Sequence, residues 1–274
     1  MKNRRLYIGL AALAAAIAAL AICCLSSGPS RAAKTESLPT LVVGCDTYPP
    51  FVSDDQDGNP SGIDVDILTE ALGRIGYAPR FEYIDWEQKA DLLAQGKIDM
   101  VASSFSMTGR EDDYRWAGPY MRSRQVVAVD PASDIYSLAD LEGKVIAVQS
   151  TTKPESIILD RLNQNVPEVK NVFSFAERSY INPALIKGYV DAIAAHETSL
   201  DTYMRDYGVS YRILDEPLLE VGLGAAFDKN DTRGIDVELS RAFEEMRADG
   251  TMEEILSRYF DDPGAYLDLE GLDD

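Results

Sequence analysis

Cysteine, histidine and basic residues are scarce in this sequence of 274 residues. Beyond Cys23 and Cys24 the only cysteine is Cys45, which excludes an intramolecular disulfide and a cysteine-based metal site after the N-terminal segment. His196 is the only histidine, and we expect neither a metal nor a cofactor. Lysine and arginine number 26 against 46 aspartates and glutamates, which gives a formal net charge of -20. A surface of this sign repels phosphate backbones, so no nucleic-acid partner is expected.

Long hydrophobic runs are also missing, apart from one near the N-terminus. Lys2, Arg4 and Arg5 precede an apolar run over residues 6–25, which is typical of an export signal or a membrane anchor. We assign residues 1–25 to this segment and the small, polar and basic residues 26–39 to a linker.

The end of the apolar run suggests how the protein is held after export. Residues 20–23 (LAIC) resemble a lipobox, which makes Cys23, or else Cys24, the candidate for lipidation. Cleavage near residues 30–32 and retention of an uncleaved anchor are the alternatives. We expect an exported protein in the periplasm or at the outer face of the cell membrane, tethered there by a lipid or an anchor.

Strands and helices alternate after the linker, which is typical of an α/β fold with a largely parallel sheet. The predicted strands are residues 41–44, 81–84 and 98–102 in the first half and residues 144–148, 171–175 and 190–194 in the second. The segments GKID at 96–99 and GYVD at 188–191 occupy equivalent places, each between a helix and a strand. This repetition indicates two similar lobes with a cleft between them.

Two extended segments are candidates for the crossings between the lobes, namely residues 125–130 and the glycine-rich residues 218–227. If the chain crosses twice, its C-terminal helices return to the first lobe. The expected domains are therefore a first lobe at 40–126, a second lobe at 127–218, and a return to the first lobe at 219–274.

Ligands of open α/β sheets bind outside the carboxyl ends of the strands, so the residues that follow each strand are candidate binding residues. They are Asp46, Tyr48, Phe51, Trp86, Ser103, Ser104, Arg110, Thr151, Thr152 and Glu197. Such a set suits a zwitterion, because a carboxylate binds a bidentate arginine and an ammonium binds a carboxylate and an aromatic face.

Each candidate also has a structural interpretation. Arg110 lies in the charged run GREDD and fits a solvated surface, whereas Tyr48 and Trp86 fit a core. Thr151 and Thr152 fit ordinary helix caps. Only the set as a whole favours a ligand site.

Eight short motifs, in this order, resemble the family 3 extracellular solute-binding proteins, the ligand-capturing subunits of amino-acid ABC importers. They are 41–44 (LVVG), 48–51 (YPPF), 62–66 (GIDVD), 96–99 (GKID), 116–120 (WAGPY), 138–144 (LADLEGK), 188–192 (GYVDA) and 248–251 (ADGT). The motifs cover nearly the whole chain after the linker. The resemblance implies a two-lobed venus-flytrap of the periplasmic-binding-protein-like type II fold, with two hinge strands.

The resemblance also implies roles for individual residues. Arg110 would clamp the ligand's α-carboxylate, which Thr151 and Thr152 would share. Glu197 would take the α-ammonium, in place of an aspartate in the family. Tyr48, Trp86 and Asp46 would contact the ligand side chain. Gly109 just before Arg110, and a glutamate for the aspartate, depart from the family pattern and leave open a ligand other than a standard α-amino acid.

The expected function is the extracytoplasmic binding, without catalysis, of a small amino-acid-like ligand for delivery to an ABC permease by a monomeric protein. Two alternatives stay open. The first is an enzyme like cyclohexadienyl dehydratase on the same fold, with Glu197 or His196 as the acid. The second is a sensing module that transmits closure to a signalling partner.

Overall fold

The first strand forms where the sequence turns apolar after the N-terminal segment. In the computed structural model, which describes residues 38–272, β1 spans Thr40–Cys45 and its apolar side chains are mostly buried. The predicted signal at 1–25, all of the linker at 26–39 except its last two residues, and the lipidation candidates Cys23 and Cys24 lie outside the described residues. Within 38–272, none of the helices has both the length and the apolar character that crossing a bilayer demands.

Further strands and helices follow β1 in the alternation that the sequence predicts. They are β2 (Ser53–Asp54), β3 (Pro60–Ser61), α1 (Ile63–Arg74), β4 (Ala78–Tyr83), α2 (Lys89–Ala94), β5 (Met100–Val101) and β6 (Arg115–Val129). Helix α1 buries Ile63, Ile67 and Ala71, which recur every four residues on one face, and it carries two aspartates in its first turn, where the helix dipole favours them.

The second half of the chain builds a similar set of elements. They are β7 (Val145–Gln149), α3 (Lys153–Leu159), β8 (Asn171–Phe175), α4 (Ile181–Ile186), β9 (Ala192–His196), α5 (Glu197–Tyr207), β10 (Arg212–Ile213), β11 (Leu219–Phe227), α6 (Ile235–Ala248) and α7 (Thr251–Leu256). Strand β9 begins and ends two residues later than predicted, because its buried run continues through Ala195 and His196, which were not included in the prediction.

The repeated aspartates at 99 and 191 perform the same task in the two lobes. The Asp99 carboxylate accepts a hydrogen bond of 2.8 Å from the backbone N–H of Val42, and the Asp191 carboxylate accepts one of 2.7 Å from that of Val145. Each aspartate thereby fixes the start of a central strand, β1 in one lobe and β7 in the other. The sequence repetition therefore reflects a duplicated structural unit.

Strands from both lobes join one sheet within residues 38–272, in the order β4-β1-β5-β11-β6-β9-β7-β8, with β10 on β6. The long strands β6 and β11 pair antiparallel and link the lobes. One apolar core combines residues from the first part of the chain with residues of β11, α6 and α7, and two others lie on the faces of the β7–β9 sheet. The fold is the predicted two-lobed α/β architecture.

Glycine is required where the two crossing strands change register. The pairing of β6 with β11 shifts between Leu223 and Ala225, and a Cβ on Gly224 would lie 2.8 Å from the carbonyl oxygen of Ala117. We expect Gly224→Ala to lower the free energy of unfolding by about 1–3 kcal/mol, because the strands would have to separate.

Gly73, which lies on α1 with open space around its Cα, provides the matched control. Gly73→Ala should raise the free energy of unfolding by about 0.5–1 kcal/mol, since alanine favours the helix. Urea unfolding of both variants measures these effects. Equal shifts for the two glycines would contradict the close approach at Gly224.

Candidate ligand-binding site

The carboxyl ends of the central strands of both lobes meet at the cleft. Strands β1 and β5 are parallel neighbours in one lobe, and β7 and β9 are parallel neighbours in the other. The lobes close on a cavity of about 20 Å³, room for one or two water molecules at roughly 10–15 Å³ each. A ligand therefore enters only when the lobes move apart. The cavity is lined by Tyr48, Trp86, Ser103, Ser104, Phe105, Ser106, Arg110, Gln125, Gln149, Thr152, Lys153, Pro154, Arg178, Ala194, Ala195 and His196.

Most of the predicted site residues converge on this cavity. Those that line it are Tyr48, Trp86, Ser103, Ser104, Arg110 and Thr152. Thr151 and Asp46 lie beside it and make contacts across the cleft. Phe51 lies outside the lining and is fully buried in the core of the first lobe, 5.5 Å from the ring centre of His196. Phe51 therefore supports the site from behind.

Glu197 also lies outside the cavity lining. It is the first residue of α5, and its carboxylate accepts a hydrogen bond of 2.7 Å from Arg124. Both residues line a separate, open groove of about 730 Å³. The strand end that faces the cavity is the preceding residue, His196, so the residue at this position of the cleft is a histidine.

Arg110 is held over the cleft by its own loop. Its side chain stacks on Phe105, 5.1 Å from the ring centre, and its carbonyl oxygen accepts a hydrogen bond of 3.0 Å from the indole of Trp116. Across the cleft the guanidinium reaches the carbonyl oxygen of Thr151 at 3.4 Å. Burial lowers the pKa of Arg110, and within residues 38–272 no carboxylate lies within 4.0 Å of its guanidinium. Its charge is free to pair with a ligand.

Gly109, the departure from the family pattern, makes room for a cation from the other lobe. A Cβ at this position would lie 2.6 Å from the Nζ atom of Lys153, and the residue has a φ of 69°, in the left-handed region. Glycine is thus the residue that allows Lys153 to approach the loop that carries Arg110.

Lys89 and Arg178 are cleft cations that the sequence analysis did not identify. Lys89 is buried, and its ammonium donates hydrogen bonds to the carbonyl and hydroxyl oxygens of Thr151 at 3.2 and 2.8 Å. It lies 4.9 Å from the ring centre of Trp86. Burial, followed by repulsion from Arg110, lowers the pKa of Lys89 to about 8. A signal was available, because Lys89 follows Trp86 by three residues, which is the spacing of neighbours on a helix.

Arg178 covers the other aromatic side chain of the cleft. Its guanidinium lies 3.3 Å from the ring centre of Tyr48, and its Nε atom lies 3.7 Å from the carboxylate of Asp46. The same carboxylate accepts a hydrogen bond of 2.7 Å from the amide of Gln149. Asp46 therefore connects the first lobe to two residues of the second.

His196 is neutral and its tautomer is fixed by its neighbours. Burial, followed by repulsion from Arg178, lowers the pKa of His196 to about 3. Its Nε2 atom lies 3.1 Å from the carbonyl oxygen of Ser104, so Nε2 carries the proton, and Nδ1 accepts from the hydroxyl of Ser123 at 2.8 Å. Nε2 also lies 2.8 Å from the side-chain amide of Gln125, which assigns the amide oxygen to that side.

The bacterial extracellular solute-binding proteins, family 3, match residues 41–262. This chain belongs to that family. The resemblance stated from the eight motifs is confirmed.

Curated relatives of this solute-binding protein carry names of amino-acid-binding proteins. The glutamate-binding protein GluB of Corynebacterium glutamicum is 29% identical over 217 residues, 73% of this chain and 71% of its own length. The histidine-binding periplasmic protein of Salmonella typhimurium is 29% identical over 257 residues, 89% of this chain and 96% of its own.

Solved structures resemble this solute-binding protein over most of its length. One, an ancestral arginine-binding protein bound to arginine, is 28% identical with a TM-score of 0.72, covering 81% of this chain and 98% of that one. Another, an ancestral amino-acid-binding protein described as a precursor of cyclohexadienyl dehydratase, is 25% identical with a TM-score of 0.70, covering 81% and 95%. These likenesses confirm the predicted type II fold.

Buried polar atoms without partners concentrate in the cleft of this solute-binding protein. Five such side-chain atoms occur within residues 38–272, and four of them belong to the cavity-lining residues Trp86, Gln125, Gln149 and Arg178. Native proteins leave few buried polar groups unpaired, since each unpaired group costs about 1–3 kcal/mol. Their concentration marks the place where a polar ligand completes the hydrogen bonding.

Proposed function

We propose that this protein captures a small carboxylate-bearing, amino-acid-like solute in the cleft and delivers it to an ABC permease. The four unpaired buried polar groups in the cavity lining are the observation that carries the proposal. Membership of the family supports it, since the relatives named above bind amino acids. The closed form, with both lobes in contact, is the form that a permease would recognise.

The roles of the lining residues are part of this proposal. Arg110 binds the ligand carboxylate, and Thr151 and Thr152 lie opposite it on the second lobe. Tyr48 and Trp86 are the aromatic residues of the predicted set that line the cavity, and Ser103 and Ser104 are its hydroxyl-bearing neighbours in the lining. Asp46 contributes indirectly, through the amide of Gln149.

The lobe boundaries at 40–126, 127–218 and 219–274 belong to the same proposal. They are supported by the separate apolar cores on the two sides of β6 and β11. Closure is then a rotation of the two lobes about this pair of strands.

Binding without catalysis fits this cleft better than dehydration does. A dehydratase needs an acid at the ligand, and the two candidates from the sequence do not supply one. Glu197 is turned into another groove and paired with Arg124, and His196 is buried, neutral and hydrogen-bonded to Ser104 and Ser123. Incubation with prephenate or arogenate should therefore leave both compounds unchanged, which chromatography of the mixture would measure.

Membrane tethering through Cys23 or Cys24 and a monomeric state complete the proposal. Mass spectrometry of the protein isolated from membranes tests the tether by the added mass of the lipid on one of these cysteines. Light scattering during gel filtration tests the monomer, and a dimer mass would contradict it.

A thermal-shift screen across the amino acids and small carboxylates tests the binding function. At least one carboxylate is expected to raise the melting temperature, because a ligand at 100 times its Kd stabilises the folded state by about 2.7 kcal/mol. Amines of the same size without a carboxylate should give no shift. The absence of a shift with every carboxylate would overturn the proposed function.

A further inference from the structure

Four cations surround the cavity, and no acidic side chain lines it. Arg110, Lys153 and Arg178 are lining residues, and the ammonium of Lys89 lies beside them. Within residues 38–272, only Arg178 has a carboxylate within 4.0 Å, that of Asp46 at 3.7 Å. The cleft therefore carries an excess of positive charge on a chain whose formal net charge is -20.

Three acids close to these cations have hydrogen-bond partners of their own. Glu155 accepts a hydrogen bond of 2.6 Å from the backbone N–H of Thr151, and Glu111 accepts one of 2.7 Å from that of Gly109. Asp46 holds the amide of Gln149. None of these carboxylates lines the cavity, so none is placed to take a ligand ammonium.

The strand end on the second lobe also lacks an acid. His196 occupies it as a neutral ring whose Nε2 proton points to Ser104, and the carboxylate of Glu197 lies in another groove. An ammonium at this place would meet a hydrogen-bond donor and no compensating charge.

The two aromatic walls are already faced by cations of the protein itself. Arg178 lies 3.3 Å from the ring centre of Tyr48, and Lys89 lies 4.9 Å from that of Trp86. A cationic ligand side chain would have to displace these groups and would be repelled by them. Anionic groups of a ligand would instead be attracted by these cations and by Arg110.

We infer that the cleft selects a small dicarboxylate, or a dianion of similar size, and that the ligand needs no amino group. The inference rests on the proposed function and names the ligand class for the same site. One carboxylate pairs with Arg110 and Lys89, which both donate to the carbonyl oxygen of Thr151, and the second pairs with Arg178 over Tyr48.

Matched ligands that differ by one group provide the test, with titration calorimetry on the complete exported protein. Glutamate and glutarate differ by the amino group, as do aspartate and succinate, whereas glutamine lacks the second carboxylate of glutamate. The better diacid is expected to bind within about tenfold of its amino counterpart, and glutamine at least 100-fold more weakly than glutamate.

The possible outcomes separate this inference from the proposed function. Tighter binding of a neutral or cationic amino acid than of any diacid would overturn the inference and leave the proposed function intact. Loss of all binding when the amino group of the ligand is removed would also overturn the inference and leave the proposed function intact. If no carboxylate binds at all, both are wrong.

A variant of Arg178, the cation assigned to the second carboxylate, sharpens the test. Arg178→Met should weaken binding of the preferred diacid at least tenfold and that of a monocarboxylate by less than threefold. Arg80→Met, on an exposed arginine of β4, is the control and should leave both unchanged. Equal losses for diacid and monocarboxylate would contradict a separate subsite.

Introducing an acid at the end of β9 should change ligand preference in the opposite direction, toward ligands with an amino group. His196→Asp should favour ligands with an amino group and raise the glutamate-to-glutarate affinity ratio at least tenfold. An unchanged ratio in a folded variant would overturn the role given to His196, and Arg178→Met decides the inference of a second carboxylate subsite if this variant fails to fold.

Discussion

Replacing Arg110 by alanine is expected to weaken carboxylate binding by a factor of roughly 30 to several thousand. Truncating one partner of a buried charge pair costs about 2–5 kcal/mol, and each 1.4 kcal/mol is a factor of ten in affinity. Because Arg110 has no carboxylate partner among the described residues, the substitution removes a ligand contact and breaks no ion pair of the protein. Calorimetry with the ligand found in the screen measures the loss.

Two further variants define the origin of that effect. Arg110→Lys keeps the charge but loses the planar fork, so its affinity should lie between those of the wild type and the alanine variant. Arg124→Ala removes an arginine that is paired with Glu197 outside the cavity and should change affinity by less than about twofold. If Arg110→Ala binds within about threefold of the wild type, the carboxylate assignment is wrong.

Replacing Asp64 by alanine is expected to lower the free energy of unfolding by about 2–5 kcal/mol. This carboxylate is fully buried on α1, where it accepts hydrogen bonds from the backbone N–H of Ser104 at 2.5 Å and from the hydroxyl of Tyr120 at 2.8 Å. Its loss leaves both donors unpaired, at about 1–3 kcal/mol each. Urea unfolding measures the change.

Tyr120→Phe is the matched comparison for the alanine variant. It removes one of the two donors together with its hydroxyl, so its cost should be about half as large. A cost for Asp64→Ala below about 1 kcal/mol would contradict the buried network. Ser104 has a φ of 48° and lines the cavity. Because the Asp64 carboxylate holds the backbone N–H of Ser104, Asp64→Ala should also weaken ligand binding.

Asp64 also predicts a pH dependence of stability. Burial raises the pKa of Asp64 to about 7, although the hydrogen bonds from Ser104 and Tyr120 oppose the rise, and an unfolded aspartate titrates near about 3.9. Between these values the folded state binds more protons than the unfolded state, so stability from this group is present below about pH 4 and is lost as the pH rises to 7.

The isosteric variant Asp64→Asn isolates that contribution from the many other carboxylates. The free energy of unfolding of the wild type minus that of Asp64→Asn should fall by about 2–4 kcal/mol between pH 4 and pH 7. Urea titrations at one-unit intervals measure it. A constant or rising difference would show that Asp64 stays ionised in the folded protein.

The alternation of strands and helices was predictable because apolar periodicity and helix-ending glycines are local signals. The equivalent aspartates at 99 and 191 indicated that the two lobes are duplicated units. Their matching hydrogen bonds to Val42 and Val145 explain why an aspartate occupies the same place in both lobes. The boundaries of β9 were less predictable, since an alanine carries little information about where a strand ends.

Residues that follow a strand closely, such as Tyr48 and Ser103, do line the cavity, as does Arg110 from the loop between β5 and β6. Glu197 follows the strand and matches an aspartate of the family, but side chains of successive residues point in different directions, and the strand ends one residue earlier at His196. Chemical type alone does not determine which of two neighbours faces a cleft.

The remaining cleft residues could not be identified because their roles depend on closure. Lys89 reaches Thr151, and Arg178 covers Tyr48, only when the two lobes are in contact. Gln125 lies within a crossing strand. Its alternation with apolar residues predicts the strand but does not predict the contact with His196.

The two tryptophans of this chain pack against the same ring. Trp86 and Trp116 contact Phe105 with ring centres 5.4 and 5.1 Å apart, and the Trp116 indole N–H is bonded to the carbonyl oxygen of Arg110. A cleft ligand changes the surroundings of the Trp86 indole, whose N–H has no partner within residues 38–272. We therefore expect the ultraviolet emission of the protein to change when the cleft is occupied, so that binding can be followed in real time without a label.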